Sequence, residues 1–287
     1  MKKIVSLVVA ALVMCSCADS FLSEEPVGEF MPEQVESEEN IEGIVIGAYA
    51  VLDGYYASDA INSGCSNWQF GDVVSDDAYK GGGGTGDQNQ IHLMEIFNAN
   101  PTGIDFEARW AALYEGVKRC NQAIRLLSNS TVKNKEQRLA EMRFLRGHYY
   151  FNLKVIYNLI PWIDETVGDP NEYHTKSNME FTSDQLWEKI LGEFSAAYQV
   201  LPESQSDYGR PTKMAAKAYM AKVYLYQSKW KECLSACDEV IQSGKYTLYP
   251  DFREVFLPEN DNNSEIIFAV QLSINDGASS NQNGSYG

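Results

Sequence analysis

Apolar residues recurring at helical spacing constrain this chain more than any other feature of it. Ile41, Ile44, Val45, Ala48, Leu52 and Tyr55 form one stripe, and Trp110, Leu113, Tyr114, Val117, Ile124 and Leu127 a second. Met142, Leu145, Tyr149, Leu153 and Ile156 form a third, and Trp187, Ile190, Leu191, Phe194, Tyr198 and Leu201 a fourth. Met214, Ala218, Ala221 and Leu225 make a fifth, and Trp230, Cys233, Leu234, Cys237 and Ile241 a sixth. Each follows the 3.6-residue period, so each helix has one face to bury. Helices with single apolar faces must bury them on one another, and the predicted fold class is mainly α.

The residues between the stripes agree. Thr182-Ser183-Asp184-Gln185 reads as a capping box, in which the Thr and Gln side chains satisfy each other's free backbone N–H groups. Leu201-Pro202 stops the fourth helix, because proline has no N–H to continue the ladder. Gly209-Arg210-Pro211-Thr212 separates the fourth stripe from the fifth, and Ser228-Lys229 the fifth from the sixth. Gly244 closes the sixth. Helix pairs joined by such short turns predict tetratricopeptide-like stacking into a superhelix. Pro211–Gln227 with Trp230–Ser243 is the clearest pair. Three stretches lack helical pattern: 57–90, 160–182 and 244–287. The last contains an expected strand, Glu265–Leu272, and little β structure is expected elsewhere.

The first residues place the chain in a cell. Met1-Lys2-Lys3 precedes an apolar run from Ile4 to Met14, broken only by Ser6. A basic start and an apolar run of this length form a secretory signal, too short to span a membrane. The run ends Met14-Cys15-Ser16-Cys17-Ala18-Asp19, and a small residue before a cysteine resembles the bacterial lipoprotein cleavage box. Ser16-Cys17 fits it better than Met14-Cys15. The expected organisation is a signal peptide over 1–16, a lipidated tether over 17–36 with Cys17 acylated, and a helical domain over 37–287. Processing removes Lys2 and Lys3, which takes the formal charge from −17 to −19. So acidic a chain, with no basic stripe, repels nucleic acid and anionic lipid surfaces.

Neither metal nor cofactor is expected. His92, His148 and His174 are scattered without ligand spacing. Beyond the leader remain Cys65, Cys120, Cys233 and Cys237, read as small apolar residues. Gly81–Gly84 lacks the Lys-Ser/Thr of a phosphate-binding loop. Asp76 and Asp77 are adjacent, whereas a glycosidase pair must flank the scissile bond. No catalytic residue is assigned.

Four segments together carry a family resemblance. They are Asp19-Ser20-Phe21-Leu22 with Glu25-Pro26 after the cleavage box, and Gly71-Asp72-Val73-Val74-Ser75-Asp76-Asp77-Ala78 followed by Gly81–Gly84. The third is Arg143-Phe144-Leu145-Arg146-Gly147-His148-Tyr149-Tyr150-Phe151-Asn152-Leu153. The fourth is Ala215–Tyr249, with Ala221-Lys222-Val223-Tyr224-Leu225 and Gly244-Lys245-Tyr246. In this order and behind a lipoprotein box, they resemble the SusD/RagB family of outer-membrane lipoproteins. The resemblance implies a tetratricopeptide-like superhelix carrying a loop-rich remainder. It implies a non-enzymatic protein on the outer face of the outer membrane. Such a protein binds glycans as the lid of a SusC-like TonB-dependent transporter. A protein-binding helical scaffold without direct sugar binding is the alternative. Members are usually much longer, so 244–287 is expected to begin an irregular C-terminal part that continues further.

Sugars present flat C–H faces and a rim of hydroxyls, which aromatic rings and Asp, Asn or Gln side chains match. Both kinds of group occur in 57–90, the expected ligand loop. The candidates are Trp68 as a stacking platform, with Asn67, Asp72, Asp76, Asp77 and Tyr79. Two readings stay open here. Trp68 could instead pin the loop to the helices, and the carboxylates could brace turns or cap helices.

Overall fold

The computed structural model describes residues 37–54, 67–168 and 170–271. The signal peptide, Cys17 and its tether, Tyr55, Cys65, the loop's first residues up to 66 and the tail from 272 lie outside the described residues. The chain divides into Met1–Val35 and Glu36–Gly287, and everything described below belongs to the second unit.

Among the described residues there are seven α-helices: α1 Glu38–Tyr49, α2 Asn89–Glu95, α3 Ile104–Asn129, α4 Lys135–Tyr157, α5 Ser183–Val200, α6 Lys213–Tyr226 and α7 Trp230–Gln242. No strand occurs among these residues. From α3 onward each helix packs on the next in chain order, and α1 lies on α3 and α4. This sequential stacking is the expected tetratricopeptide-like arrangement.

Local chemistry starts the helices where the sequence indicates. Ser37 Oγ accepts from the Asn40 N–H at 3.2 Å to open α1. The capping box before α5 forms in both directions: Gln185 N–H donates to Thr182 Oγ1 at 3.3 Å and Thr182 N–H to Gln185 Oε1 at 2.9 Å. Thr212 Oγ1 accepts from Ala215 N–H at 3.2 Å at the start of α6. Gly244, at φ 66°, closes α7 in the left-handed region that glycine enters without strain.

The core centres on α4, whose Met142, Phe144, Leu145, Tyr149 and Leu153 are fully buried. Two glycines let its neighbours approach closely. A Cβ on Gly116 of α3 would lie 2.6 Å from the Tyr149 ring, and one on Gly147 of α4 would lie 2.9 Å from the Phe194 ring. Phe194 stacks on Tyr219 of α6 with centroids 4.7 Å apart, so aromatic contact runs through α4, α5 and α6.

Several charged groups are buried in this stack, Arg146 and Glu193 among them. The Arg146 guanidinium, 1% exposed, donates to both Glu193 oxygens at 3.1 and 2.8 Å and to Asn121 Oδ1 at 2.8 Å. It also pairs with Glu165. Burial alone would lower its pKa, but the two carboxylates overcome that and raise it, so it stays charged.

Three expectations change. The strand over 265–272 does not form as far as residue 271. A ladder needs a partner backbone, and this segment uses side chains instead: Phe268 packs edge-on against Phe144 at 5.0 Å. The sixth stripe has the right period and the wrong phase. Trp230, Leu234 and Ile241 are 63, 62 and 71% exposed, while Ala236 and Val240 are buried. Periodicity fixes which residues share a face, but the seat on α6 decides which face turns inward, and small Ala236 allows the closer approach. Cys237, on that outward side, is exposed, whereas Cys120 is buried as expected.

Candidate functional site

The candidate loop begins with one π-helical turn, Trp68–Asp72, closed by Val73 N–H donating to Trp68 O at 2.9 Å. Such single turns are rare and recur at functional positions. The alternation of contacts follows from the turn. Gln69 and Val73 point inward, at 6 and 2% exposure. Phe70 meets Phe106 of α3 edge-on at 5.6 Å.

Arg109 of α3, 1% exposed, holds this turn from below. Its guanidinium carbon lies 5.5 Å from the Phe70 centroid, and Nη2 donates to Asn67 Oδ1 at 2.7 Å. Asn67 therefore commits its carbonyl oxygen to the frame, and its NH₂ group makes no hydrogen bond among the described residues. The apolar stripe does not mark Arg109, because a charged residue in register with Leu113 and Leu127 reads as a break in the stripe and not as a support.

The next turn folds back on the first. Ala78 N–H donates to Asp72 O at 3.0 Å, which brings Tyr79 back beside Asp72. Asp76 sits at φ 68°, a left-handed position that aspartate tolerates better than most residues. Asp77 Oδ2 accepts from Ser75 Oγ at 3.3 Å. Asp72 braces the turn with its main-chain carbonyl, and no hydrogen bond ties up its carboxylate among the described residues. Asn67, Asp72, Asp76, Asp77 and Tyr79 are all exposed, and Tyr79 reaches 79%. Trp68 is half-buried. Of the sequence-predicted candidates, Trp68 is thus the least exposed.

Beyond Tyr79 the glycine run wraps around a lysine. Lys80 Nζ donates to Gly84 O at 3.0 Å and also to Asp87 O, while Gly83 N–H donates to Asp87 Oδ2 at 2.8 Å. Lys80 N–H donates to Glu95 Oε1 of α2 at 3.0 Å, a bond that holds the Glu95 carboxyl below its usual pKa. Gly82 sits at φ 74°, a left-handed conformation that side chains rarely adopt, and a Cβ there would also displace Asp87 Oδ2, 2.2 Å away. Glu95 is a second supporting residue that lay outside the predicted loop.

No group of His, Cys, Asp and Glu able to hold a metal occurs among the described residues. None of their helices is long and apolar enough to cross a membrane.

The architecture is a stacked helical scaffold that presents one braced, aromatic and acidic loop. The sequence profile of the SusD-like family, described as "Starch-binding associating with outer membrane", matches residues 20–225. The chain belongs to the SusD-like family. A SusD-like protein of Bacteroides ovatus is 24% identical, over 94% of this chain and 49% of the relative. Among solved structures, surface glycan-binding protein A from Bacteroides thetaiotaomicron, in complex with laminarihexaose, superposes with a TM-score of 0.70. It is 30% identical, over 81% of this chain and 49% of its own. The corresponding protein from Bacteroides fluxus gives 0.69 at 29% identity, over 81% and 50%. The chain therefore spans about half the length of these relatives.

Proposed function

We propose that this chain forms part of a cell-surface glycan-binding lipoprotein. It captures neutral oligosaccharides and presents them to a SusC-like TonB-dependent transporter in the outer membrane. Acyl chains on Cys17 would hold it at the extracellular face, and such a tether raises its effective concentration at the pore. The step is capture and handover, with no bond made or broken.

The observation that carries this reading is the 67–79 loop. It presents Tyr79, the Asn67 amide and the carboxylates of Asp72, Asp76 and Asp77 on a frame fixed by Arg109 and Glu95. The laminarihexaose complex of the Bacteroides thetaiotaomicron relative supports the ligand class. Calorimetry of the chain from residue 17 against laminarihexaose, maltohexaose and cellohexaose tests it. Binding is expected, with loss of at least tenfold affinity in Trp68→Ala and Tyr79→Ala. Full affinity in both variants would overturn the assignment to this loop. Metabolic labelling with palmitate, lost in Cys17→Ala, tests the anchor.

The protein-binding scaffold stays in view because of the apolar side that α7 turns outward. Co-purification of a transporter in the absence of glycan binding to any of the three hexasaccharides would favour it.

A further inference from the structure

A cleft of about 440 Å³ lies between α3 and the 161–174 segment, apart from the loop just described. That volume falls in the range of small-molecule sites. Trp110, Tyr114 and Asn121 rise from one face of α3, and Tyr173 and His174 stand opposite, on the short helical turn Pro170–Thr175.

The walls are stapled. Tyr114 Oη donates to Pro161 O at 2.7 Å, and Asn121 Nδ2 donates to Ile163 O at 2.9 Å. Trp110 is fixed against Tyr157, edge-on at 4.9 Å, and against Tyr114 at 4.7 Å. The cleft is thus shaped before any ligand arrives, which reduces the ordering cost of binding.

Its polar groups divide into used and unused. Tyr114 and Asn121 are engaged in the staples. Glu115, at the rim, is neutralised by Lys118 at 3.0 Å and Arg119 at 2.8 Å. The Trp110 indole N–H, the Tyr173 hydroxyl and the His174 ring make no hydrogen bond among the described residues. An aromatic wall and three spare hydrogen-bonding groups suit a ligand with a flat C–H face and several hydroxyls.

We propose that this cleft is a second sugar subsite, taking one or two units of a neutral oligosaccharide between Trp110 and Tyr173. The proposal rests on the glycan-binding reading above, but the two can fail separately. Phe106 and Arg109 hold the candidate loop, and Trp110 is the next residue of the same helix, so a single helix supports both sites.

The chain carries five tryptophans, and ¹⁹F NMR after 5-fluorotryptophan labelling reports on each. Trp68→Phe and Trp110→Phe assign the two signals that matter. Laminarihexaose, maltohexaose and cellohexaose are titrated in turn into the full chain. The Trp110 signal is expected to shift saturably with at least one of them. Tyr173→Ala should weaken that response about tenfold, and Tyr173→Phe, which removes only the hydroxyl, by less. Tyr173 lies on a surface turn, and an unchanged melting temperature confirms that each variant folds.

A saturable Trp68 response with a silent Trp110 would leave the loop reading standing and overturn the cleft. The reverse would keep the cleft and overturn the loop. Silence at both, across the three sugars, would overturn both. A Trp110 response that Tyr173→Ala leaves unchanged would also refute the subsite.

Discussion

Gly147 offers a test in which two physical effects oppose each other at one atom. Replacing glycine by alanine inside a helix is favourable by about 1 kcal/mol, since alanine loses less backbone freedom on folding. At Gly147 the new methyl would lie 2.9 Å from two carbons of the Phe194 ring and 3.2 Å from a third. Phe194 has nowhere to move: it is fully buried, stacked on Tyr219 at 4.7 Å and edge-on to Phe144 at 5.7 Å. Overpacking of this kind costs about 1–3 kcal/mol. The net expectation for Gly147→Ala is a loss of about 1 kcal/mol. Gly192 of α5 is the control, because a Cβ there meets nothing within 4 Å. Gly192→Ala should gain about 0.5–1 kcal/mol. Urea titration followed by helical circular dichroism reads both, and the two midpoints should move in opposite directions. A rise in both would show that α4 and α5 do not approach as described. Gly116→Ala should cost more than Gly147→Ala, since its methyl would sit 2.6 Å from Tyr149. The Tyr149 hydroxyl also holds Ala48 O of α1 at 2.8 Å.

Glu193→Ala should cost about 3 kcal/mol in the same titration, because it removes one of the two carboxylates that hold the buried Arg146, whereas Arg146→Met with Glu193→Leu should recover most of that loss. His148, pushed down to a pKa of about 3 by burial and then by Arg109 and Lys222, stays neutral in the folded chain. The unfolded chain takes up that proton near pH 6.5, so stability should fall as pH drops below 6.5, by up to about 2 kcal/mol at pH 5. His148→Gln should flatten this part of the profile, and an unchanged slope would refute the assignment. Leu234→Ser and Ile241→Ser on α7 should each change stability by less than about 0.5 kcal/mol, as exposed positions do. A thiol reagent should modify Cys237 within minutes and reach Cys120 only on unfolding, as mass spectrometry would show.

The helices were legible because each carries its own signal: a stripe for the buried face, and Ser37, Thr182 or Thr212 for the start. Their phase was less so. On α4, packed on both sides, the predicted stripe is the buried one. On α7, seated on α6, the stripe turned outward and Ala236 took the contact. Phe268 shows a different limit. Its segment has the alternation of a strand, but a strand is a relation between two backbones, and one sequence segment cannot supply the second. At the candidate site, the exposed residues were readable as chemistry: Tyr79, Asn67 and the three aspartates. Their supports were not. Arg109 and Glu95 act across the fold, on residues 42 and 15 positions away, and no local pattern encodes a contact of that kind. The cleft walls share this property, since Tyr173 faces Trp110 only after the chain has returned past α4.

The ring that Gly81–Gly84 makes around Lys80 has a consequence for how this surface could diversify. The ammonium group acts as a hub, and the bonds from Lys80 and from Gly83 reach main-chain and carboxylate oxygens without using the outward side of the tip. Residues between Gly84 and Asp87 can therefore change identity without loosening the hub, because what it grips is backbone. The fixed points are Lys80, whose charge closes the ring, and Gly82, whose positive φ would strain any other residue. A set of homologous loops built this way would keep one skeleton and vary its decoration. New recognition could then be acquired at the tip while the helices beneath it repack not at all.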